Sequence, residues 1–356
     1  MDFGTMKRIL ELARWAPSGD NEQPWRFEIL GDQKVRIHGF DTRDRVLYDY
    51  MGRPSYIAHG ALLETLRIAA TGSGLRAHWS LADASDERRP LYDVQLIPDA
   101  SIHPDPLWAH IEGRTVQRRP MKTAPLSDAQ RQALTDAAGP DFQLQFLGET
   151  RQRMAVARLL WHSAHIRLTC PEAYPVHKRI IEWRARYSKD RIPEGAVGVD
   201  AATARLMEWV LKSWGRVRFF NRVLMGTVAP RLQLDLLPGY FCGAHLLVRP
   251  VRKPSTLLDW VNAGVAWQRV WLTAAAQGLH FQPQMTPVIF RWYARAGEKF
   301  SSESRLFDQA LELAHEFEQV VGAGSADEFV FFARLGYSNA PTSRSIRKDL
   351  VDLMHV

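Results

Sequence analysis

Three short stretches carry the side chains best suited to chemistry. The first, Ala16-Pro17-Ser18-Gly19-Asp20-Asn21-Glu22-Gln23-Pro24-Trp25, is polar and bounded by prolines that fix φ, while Ser18 and Asn21 bring short hydrogen-bonding groups with turn chemistry. It suits ligand binding, or a capped turn between a helix and a strand. The second, Gly113 to Pro120, gathers Arg114, Arg118, Arg119 and the hydroxyl of Thr115 within six residues. Such a density of guanidinium groups suits bidentate, charge-assisted bonds to a phosphate, or a basic surface loop. The third is an apolar run into Ala333-Arg334-Leu335-Gly336-Tyr337, continued by a loop through Pro341 to Arg344.

These stretches need elements to position them. Phe3, Met6, Ile9 or Leu10, and Ala13 recur at helical spacing, so the sequence predicts an amphipathic helix over 3 to 15, ending before Pro17. Phe27 to Leu30 and Val35 to Ile37 flank Gly31-Asp32-Gln33 as a hairpin with a three-residue loop. An alanine-rich helix over 55 to 71 suits burial, and Tyr92, Val94 and Leu96 alternate as a strand. Ser127 with Gln130 makes a capping box for a helix stopped by Gly139-Pro140, and Phe142, Leu144 and Phe146 alternate after it. Residues 150 to 238 read as long, helical and rich in Arg and Trp, broken at 191 to 195. A buried stretch at Gly243 to Val248, helices over 256 to 277 and 303 to 321, and an apolar strand from Phe329 to Leu335 complete the reading.

An internal repeat organises these elements. Placing Gly60 on Gly264 aligns 60 to 75 with 264 to 279 without gaps, and Gly60, Ala70, Gly74 and Leu75 recur identically at an offset of 204. A glycine near the start of each helix, with alanines along it, permits the close approach that a core helix at a two-fold interface needs. Upstream, 12 to 30 superposes on 134 to 147 with Pro17 on Pro140, although the second copy lacks the polar loop.

The 356 residues suggest two domain-sized units, and a composition 46% hydrophobic and 24% charged is that of a globular protein. Cys170 and Cys242 lie 72 positions apart with no CxxC, which argues against a structural zinc site or a disulfide scaffold. The net charge of +7 and the 12 Trp raise nucleic-acid binding, but the basic residues are diffuse, so neither a nucleic-acid nor a membrane partner is expected. With no apolar run near the ~18 residues of a span and no signal-peptide core, the expected location is the cytoplasm.

Taken together, the stretches resemble the FMN-dependent nitroreductase superfamily, and the tandem arrangement looks like its Acg-type members, in which two units are fused. Ala16 to Trp25 match the family's Ala-Pro-Ser-x-x-Asn-x-Gln-Pro-Trp element almost completely, and Ala333 to Arg344 match its Arg-x-Gly strand and Pro-x-x-Arg more loosely. The likeness covers 3 to 97, 110 to 147 and 243 to 349. It implies an α+β, nitroreductase-like fold, with helices around mixed or antiparallel sheets and two fused units forming an intramolecular pseudo-dimer. The halves would be 1 to 105 and 106 to 356, the second carrying a helical insertion at about 150 to 238 that could act as a lid.

The resemblance also implies one FMN site shared between the halves. The first half supplies Pro17, Ser18, Gly19 and Asn21; the second supplies Arg114, Thr115, Arg118, Gln282, Pro283, Gln284, Met285 and Arg344. Arg118 falls three positions after Thr115 where the family more often has two, so either Gln117 or Arg118 would face the flavin. Neither a catalytic side chain nor a metal is required, and His59, His245 and His280 read as packed or solvent-facing. The implied activity is NAD(P)H-dependent, ping-pong reduction of an electron-poor small molecule, with NAD(P)H as a transient donor. The alternative is a flavin-binding or flavin-sequestering protein whose lid blocks turnover. A pseudo-dimeric monomer would suffice, with higher oligomers left open.

Overall fold

The computed structural model describes residues 3–223 and 226–355. The side chain of Phe3, placed by the sequence on the buried face of the first helix, and Leu224 and Met225, within the segment read as helical, lie outside the described residues.

Met6, Ile9, Leu10 and Ala13 are all buried on one face of α1 (Phe3–Ala13), which packs on the long helix Arg53–Thr71. The elements of the first unit follow as β1 (Trp25–Gly31), β2 (Lys34–Gly39), α2 (Arg53–Thr71), β3 (Leu75–Asp83) and β4 (Leu91–Pro98). Their strands form an antiparallel sheet in the order β1-β2-β4-β3. The hairpin loop is tighter than expected, because Gly31 pairs with Lys34 through a register shift and leaves only Asp32 and Gln33 to turn.

The second unit repeats the plan with additions. It opens with α3 (Asp128–Ala138), where both hydrogen bonds of the Ser127/Gln130 capping box form, and β5 (Phe142–Leu147). The insertion follows: α4 (Thr150–Thr169), α5 (Tyr174–Ile180), the two-residue strands β6 (Ile181–Glu182), β7 (Tyr187–Ser188) and β8 (Ile192–Pro193), then α6 (Glu194–Val197), α7 (Ala201–Val210), α8 (Trp214–Val223), α9 (Val228–Arg231) and α10 (Leu237–Tyr240). After it come β9 (Ala244–Pro250), α11 (Leu257–Ala276), β10 (His280–Pro283), α12 (Thr286–Ala296), α13 (Ser304–Val321), β11 (Phe331–Gly336) and β12 (Arg344–Ser345). The second sheet runs β10-β11-β9-β5, again antiparallel, so read from β5 it has the strand order of the first sheet. The insertion thus occupies the place of the β1–β2 turn.

The segment 150 to 238 is less helical than its sequence suggests. Between α5 and α6 the chain is extended and turning, because β7 pairs in parallel with β12 from the far C-terminus and β6 with β8. A small apolar cluster of Ile181, Ile192, Val197, Val199 and Ala204 holds this part together, separate from the main core.

That core is centred on α2 and α11, which cross at the glycines of the repeat. A Cβ on Gly60 would lie 1.8 Å from the carbonyl oxygen of Val261, and one on Gly264 would lie 2.0 Å from that of Ile57. No side chain fits at either position, so the backbones touch. Isolated bridges extend the sheet edges: Met354, from the second half, pairs with Phe27 beside β1, and Val116 pairs with Phe281 of its own half beside β10.

Candidate functional site

The twelve cofactor candidates, from Pro17, Ser18, Gly19 and Asn21 through Arg114, Thr115, Arg118 and Gln282 to Met285 to Arg344, line one cavity of about 750 Å³. One of its walls is apolar, with Ile57, Ala58 and Ala61 from α2 and Trp267 and Trp271 from α11.

The polar loop after α1 reaches the cavity through unusual backbone. Asp20, Asn21 and Gln23 take φ values of 50°, 64° and 53°, a left-handed region that non-glycine residues seldom occupy and that functional loops tolerate. Side-chain bonds hold the loop. Ser18 Oγ accepts from the Gln23 N–H at 2.9 Å, Gln23 Nε2 donates to the Lys189 carbonyl at 2.8 Å, and Asn21 Nδ2 donates to the Ile346 carbonyl at 3.1 Å. Asn21 Oδ1 is buried and has no hydrogen-bond partner among the described residues.

Arg114, Arg344 and Arg347 converge beside Trp15. Arg114 donates to the Trp15 carbonyl at 2.9 Å and lies 4.4 Å over Trp271, while Arg347 donates to the Ala16 carbonyl at 2.9 Å and Arg344 to the Glu112 carbonyl at 2.6 Å. The partners are neutral carbonyls; among the described residues none of the three arginines forms an ion pair. Burial, reinforced by Arg347 and Arg344, pushes Arg114 well below the usual guanidinium range, and burial with Arg344 and Arg14 lowers Arg347 to about 9. The Nε atoms of Arg114 and Arg344 are buried and have no hydrogen-bond partner among the described residues. Three clustered arginines with unpaired donors and no ion pair among the described residues have the chemistry to receive a multiply charged anion, with the Glu112 charge acting on Arg344 alone.

Arg118 stands apart. It donates to the Ala196 carbonyl at 3.1 Å, and its charge acts on Asp20, whose carboxyl burial raises to about 6. Gln117 turns away from the cavity: its side chain donates to the Asn339 carbonyl at 2.9 Å and accepts from the Arg119 N–H at 3.0 Å. Arg334 is also structural, since one terminal nitrogen donates to the carbonyls of Gln117, Arg118 and Arg119.

The side chains of Gln282 and Gln284 are committed to Arg334 and His245 at 2.6 and 3.0 Å. Met285 and Thr286 line the cavity where α12 begins, and the first N–H groups of a helix lack intrahelical acceptors. His245 and His59 are packed histidines, each lowered to about 4 mainly by burial and each bonded to a backbone carbonyl at 2.8 Å.

The insertion and the loop before α2 supply groups that the sequence did not single out. Tyr48 Oη and His177 Nε2 are 2.8 Å apart, and Arg167 pairs with Asp235 at 2.9 Å; all four line the cavity. Burial and Arg167 hold His177 at about 3, and burial raises Asp235 to about 6. Of these further residues and Arg347, Arg347 alone carries a sequence signal, a second arginine three positions after Arg344.

A smaller cavity of about 360 Å³ includes Arg67, His78, Trp79 and Val265. At the repeat offset these correspond to Trp271, Gln282, Pro283 and Ala61 of the larger cavity. Here Glu64, fully buried, pairs with Arg67 and Arg269 at 2.8 Å.

No protein-family model matches the chain. A protein of Mycobacterium tuberculosis described as uncharacterised is 26% identical over 365 residues, 97% of this chain and 47% of that relative, so the chain spans about half the relative's length. A second M. tuberculosis protein, named "Putative NAD(P)H nitroreductase acg", is 40% identical over 75 residues, 20% of this chain and 22% of the relative. Among solved structures, the FMN-dependent nitroreductase NfnB from Mycobacterium smegmatis in complex with NADPH aligns at 14% identity and a TM-score of 0.38, covering 69% of this chain and 96% of that one. By sequence, the chain is similar to an Acg-type nitroreductase-like protein over its matched segment and, over nearly all its length, to a longer mycobacterial relative.

Proposed function

We propose that the chain is an FMN-binding oxidoreductase of the nitroreductase type, in which NAD(P)H and an electron-poor small molecule use one pocket in turn. The observation that carries this reading is the Arg114, Arg344 and Arg347 cluster, without an ion pair among the described residues, in a cavity with an apolar, tryptophan-bearing wall. The cluster suits the phosphate of FMN, and Ile57, Ala58, Ala61 and Trp267 suit its ring. Bound FMN would supply the two-electron chemistry. The chain's own residues would bind and orient it: the loop from Pro17 to Asn21 lines one side of the cavity, and the start of α12 could offer N–H groups to an electron-rich part of the ring.

The site draws on both units, which supports halves of 1 to 105 and 106 to 356 working as an internal pseudo-dimer. One site per chain is proposed. The related position is a smaller cavity lined by Glu64 and Arg67, with Glu64 also paired to Arg269, and no loop like Pro17 to Asn21 follows Pro140.

A second reading, flavin sequestration, is favoured by how closely the insertion is bound to the site. Ser343 Oγ donates to the Arg186 carbonyl at 2.7 Å, and Gln23 is bonded to Lys189, so both flanks of the pocket are tied to 186 to 189. The test is FMN content followed by anaerobic NADPH or NADH. An FMN:chain ratio near one with bleaching supports the enzyme; the same ratio with reduction by dithionite alone supports sequestration; no flavin after flavin-replete expression overturns both.

A further inference from the structure

The insertion carries an outer surface that the cavity does not account for. On α7 and α8, Leu206, Trp209, Phe219 and Val223 are 46%, 45%, 55% and 57% exposed. Trp209 packs edge-on to Phe220 at 5.6 Å, and Arg216 lies 4.4 Å over Trp209. Arg205, Lys212, Arg218 and Arg222 are exposed among them. Residues 201 to 223 hold five basic side chains and one acidic one, Glu208, which faces Arg184 at 3.3 Å. Solvated helices usually mix charge signs and bury their aromatics. Exposed aromatic and aliphatic side chains set among charges of one sign have the composition of helices that lie in a membrane interface.

We propose that the α7–α8 hairpin docks on an anionic lipid surface, with Trp209, Phe219 and Val223 entering the headgroup boundary and the basic side chains meeting lipid phosphates. This departs from the expectation, drawn from sequence, of no membrane partner. It concerns the surface of a bilayer; no described helix is long and apolar enough to cross one.

Continuity with the cavity is the second support. Met207, Val210, Trp214 and Val217 on the same two helices line the cavity, and Leu206 both lines it and is exposed. Leu206 thus links the docking patch to the cavity wall, which is apolar along these two helices. The ligand class suited to this route is an uncharged lipophile taken from the bilayer. Identifying that ligand with the acceptor of the flavin site rests on the reading above; the docking itself does not.

The full chain is tested by co-sedimentation with vesicles of phosphatidylcholine alone or with one-third phosphatidylglycerol. Docking predicts at least a tenfold preference for the anionic vesicles, weakening with salt. Phe219→Gln with Val223→Gln, and separately Arg218→Glu with Arg222→Glu, should each lower binding about tenfold while circular dichroism stays unchanged. Equal or absent partitioning of the parent overturns the proposal. So does light scattering in which both double variants convert a dimer to a monomer without altering vesicle binding, because the patch then joins two copies of the chain. For the ligand class, N-phenyl-1-naphthylamine should gain fluorescence with the purified chain, and no gain overturns it. FMN content is measured on the same samples: vesicle binding without flavin sinks the flavin reading alone, and flavin without vesicle binding sinks docking alone.

Discussion

Gly60 and Gly264 meet back to back where α2 crosses α11, and a Cβ on Gly60 would stand 2.9 Å from the Cα of Gly264. The contacts beyond them are reciprocal. Gln268 Nε2 donates to Thr65 Oγ1 at 2.9 Å, and Arg269 pairs with Glu64 at 2.8 Å. At the repeat offset these are one pair of positions exchanged, made once as a neutral bond and once as an ion pair. Exchange of this kind belongs to isologous interfaces between identical subunits, here retained inside one chain.

Alanine at either glycine must push a backbone aside. Gly264→Ala should destabilise the chain by about 3 kcal/mol, the upper part of the usual range for overpacking. Urea unfolding measures this, and a loss under ~1 kcal/mol would mean that the helices separate without cost to the core.

Arg347→Ala should separate phosphate binding from ring binding. Apoprotein titrated with FMN should lose roughly tenfold or more in affinity, the scale of one charge-assisted hydrogen bond, whereas riboflavin, which has no phosphate, should bind as before. Equal losses for both ligands would place Arg347 in a purely structural role.

Asp20 provides a pH signature. Its folded carboxyl, raised by burial to about 6, holds a proton more tightly than the unfolded chain does. The ionised group therefore costs stability above about pH 6, and the cost disappears as pH falls through the folded value toward the ordinary carboxylate range. Asp20→Asn removes it, so the variant should gain on the parent at pH 7.5 and lose that gain by pH 4. Denaturant unfolding of ligand-free protein at both pH values is the check; a constant difference would show that the carboxyl titrates normally.

Tyr48→Phe leaves His177 Nε2 without its partner in a buried setting. The expected loss is about 1–2 kcal/mol of stability. Thermal unfolding of Tyr48→Phe, His177→Ala and the double variant forms a cycle in which coupling near zero would deny the bond.

Much of this arrangement could be read in the sequence because it is periodic or local. The small-residue helices announced themselves through Gly60 and Gly264, and the Ser127/Gln130 box marked the start of α3. Local signals for β3 and α12 are also present: Leu75, Ala77, Trp79 and Leu81 alternate, and Pro287 lies in the first turn of α12. Other features had no local signal. The extended course of 181 to 193 depends on pairing with Arg344 and Ser345, and Tyr48 meets His177 only when the insertion folds over the first unit. Side chains brought together by tertiary structure leave no spacing to read.

The place of the insertion also bears on how the chain reaches this state. In the first sheet β1 finds β2 across Asp32 and Gln33, a closure among neighbours, whereas β5 must find β9 across everything between Leu147 and Ala244. Non-local pairing of this kind slows folding, since chain entropy is lost before contacts repay it. Two sheets with the same strand order therefore differ sharply in contact order. The first unit would form early and present the Gly60 face of α2 as a template on which α11, and then the second sheet, assembles.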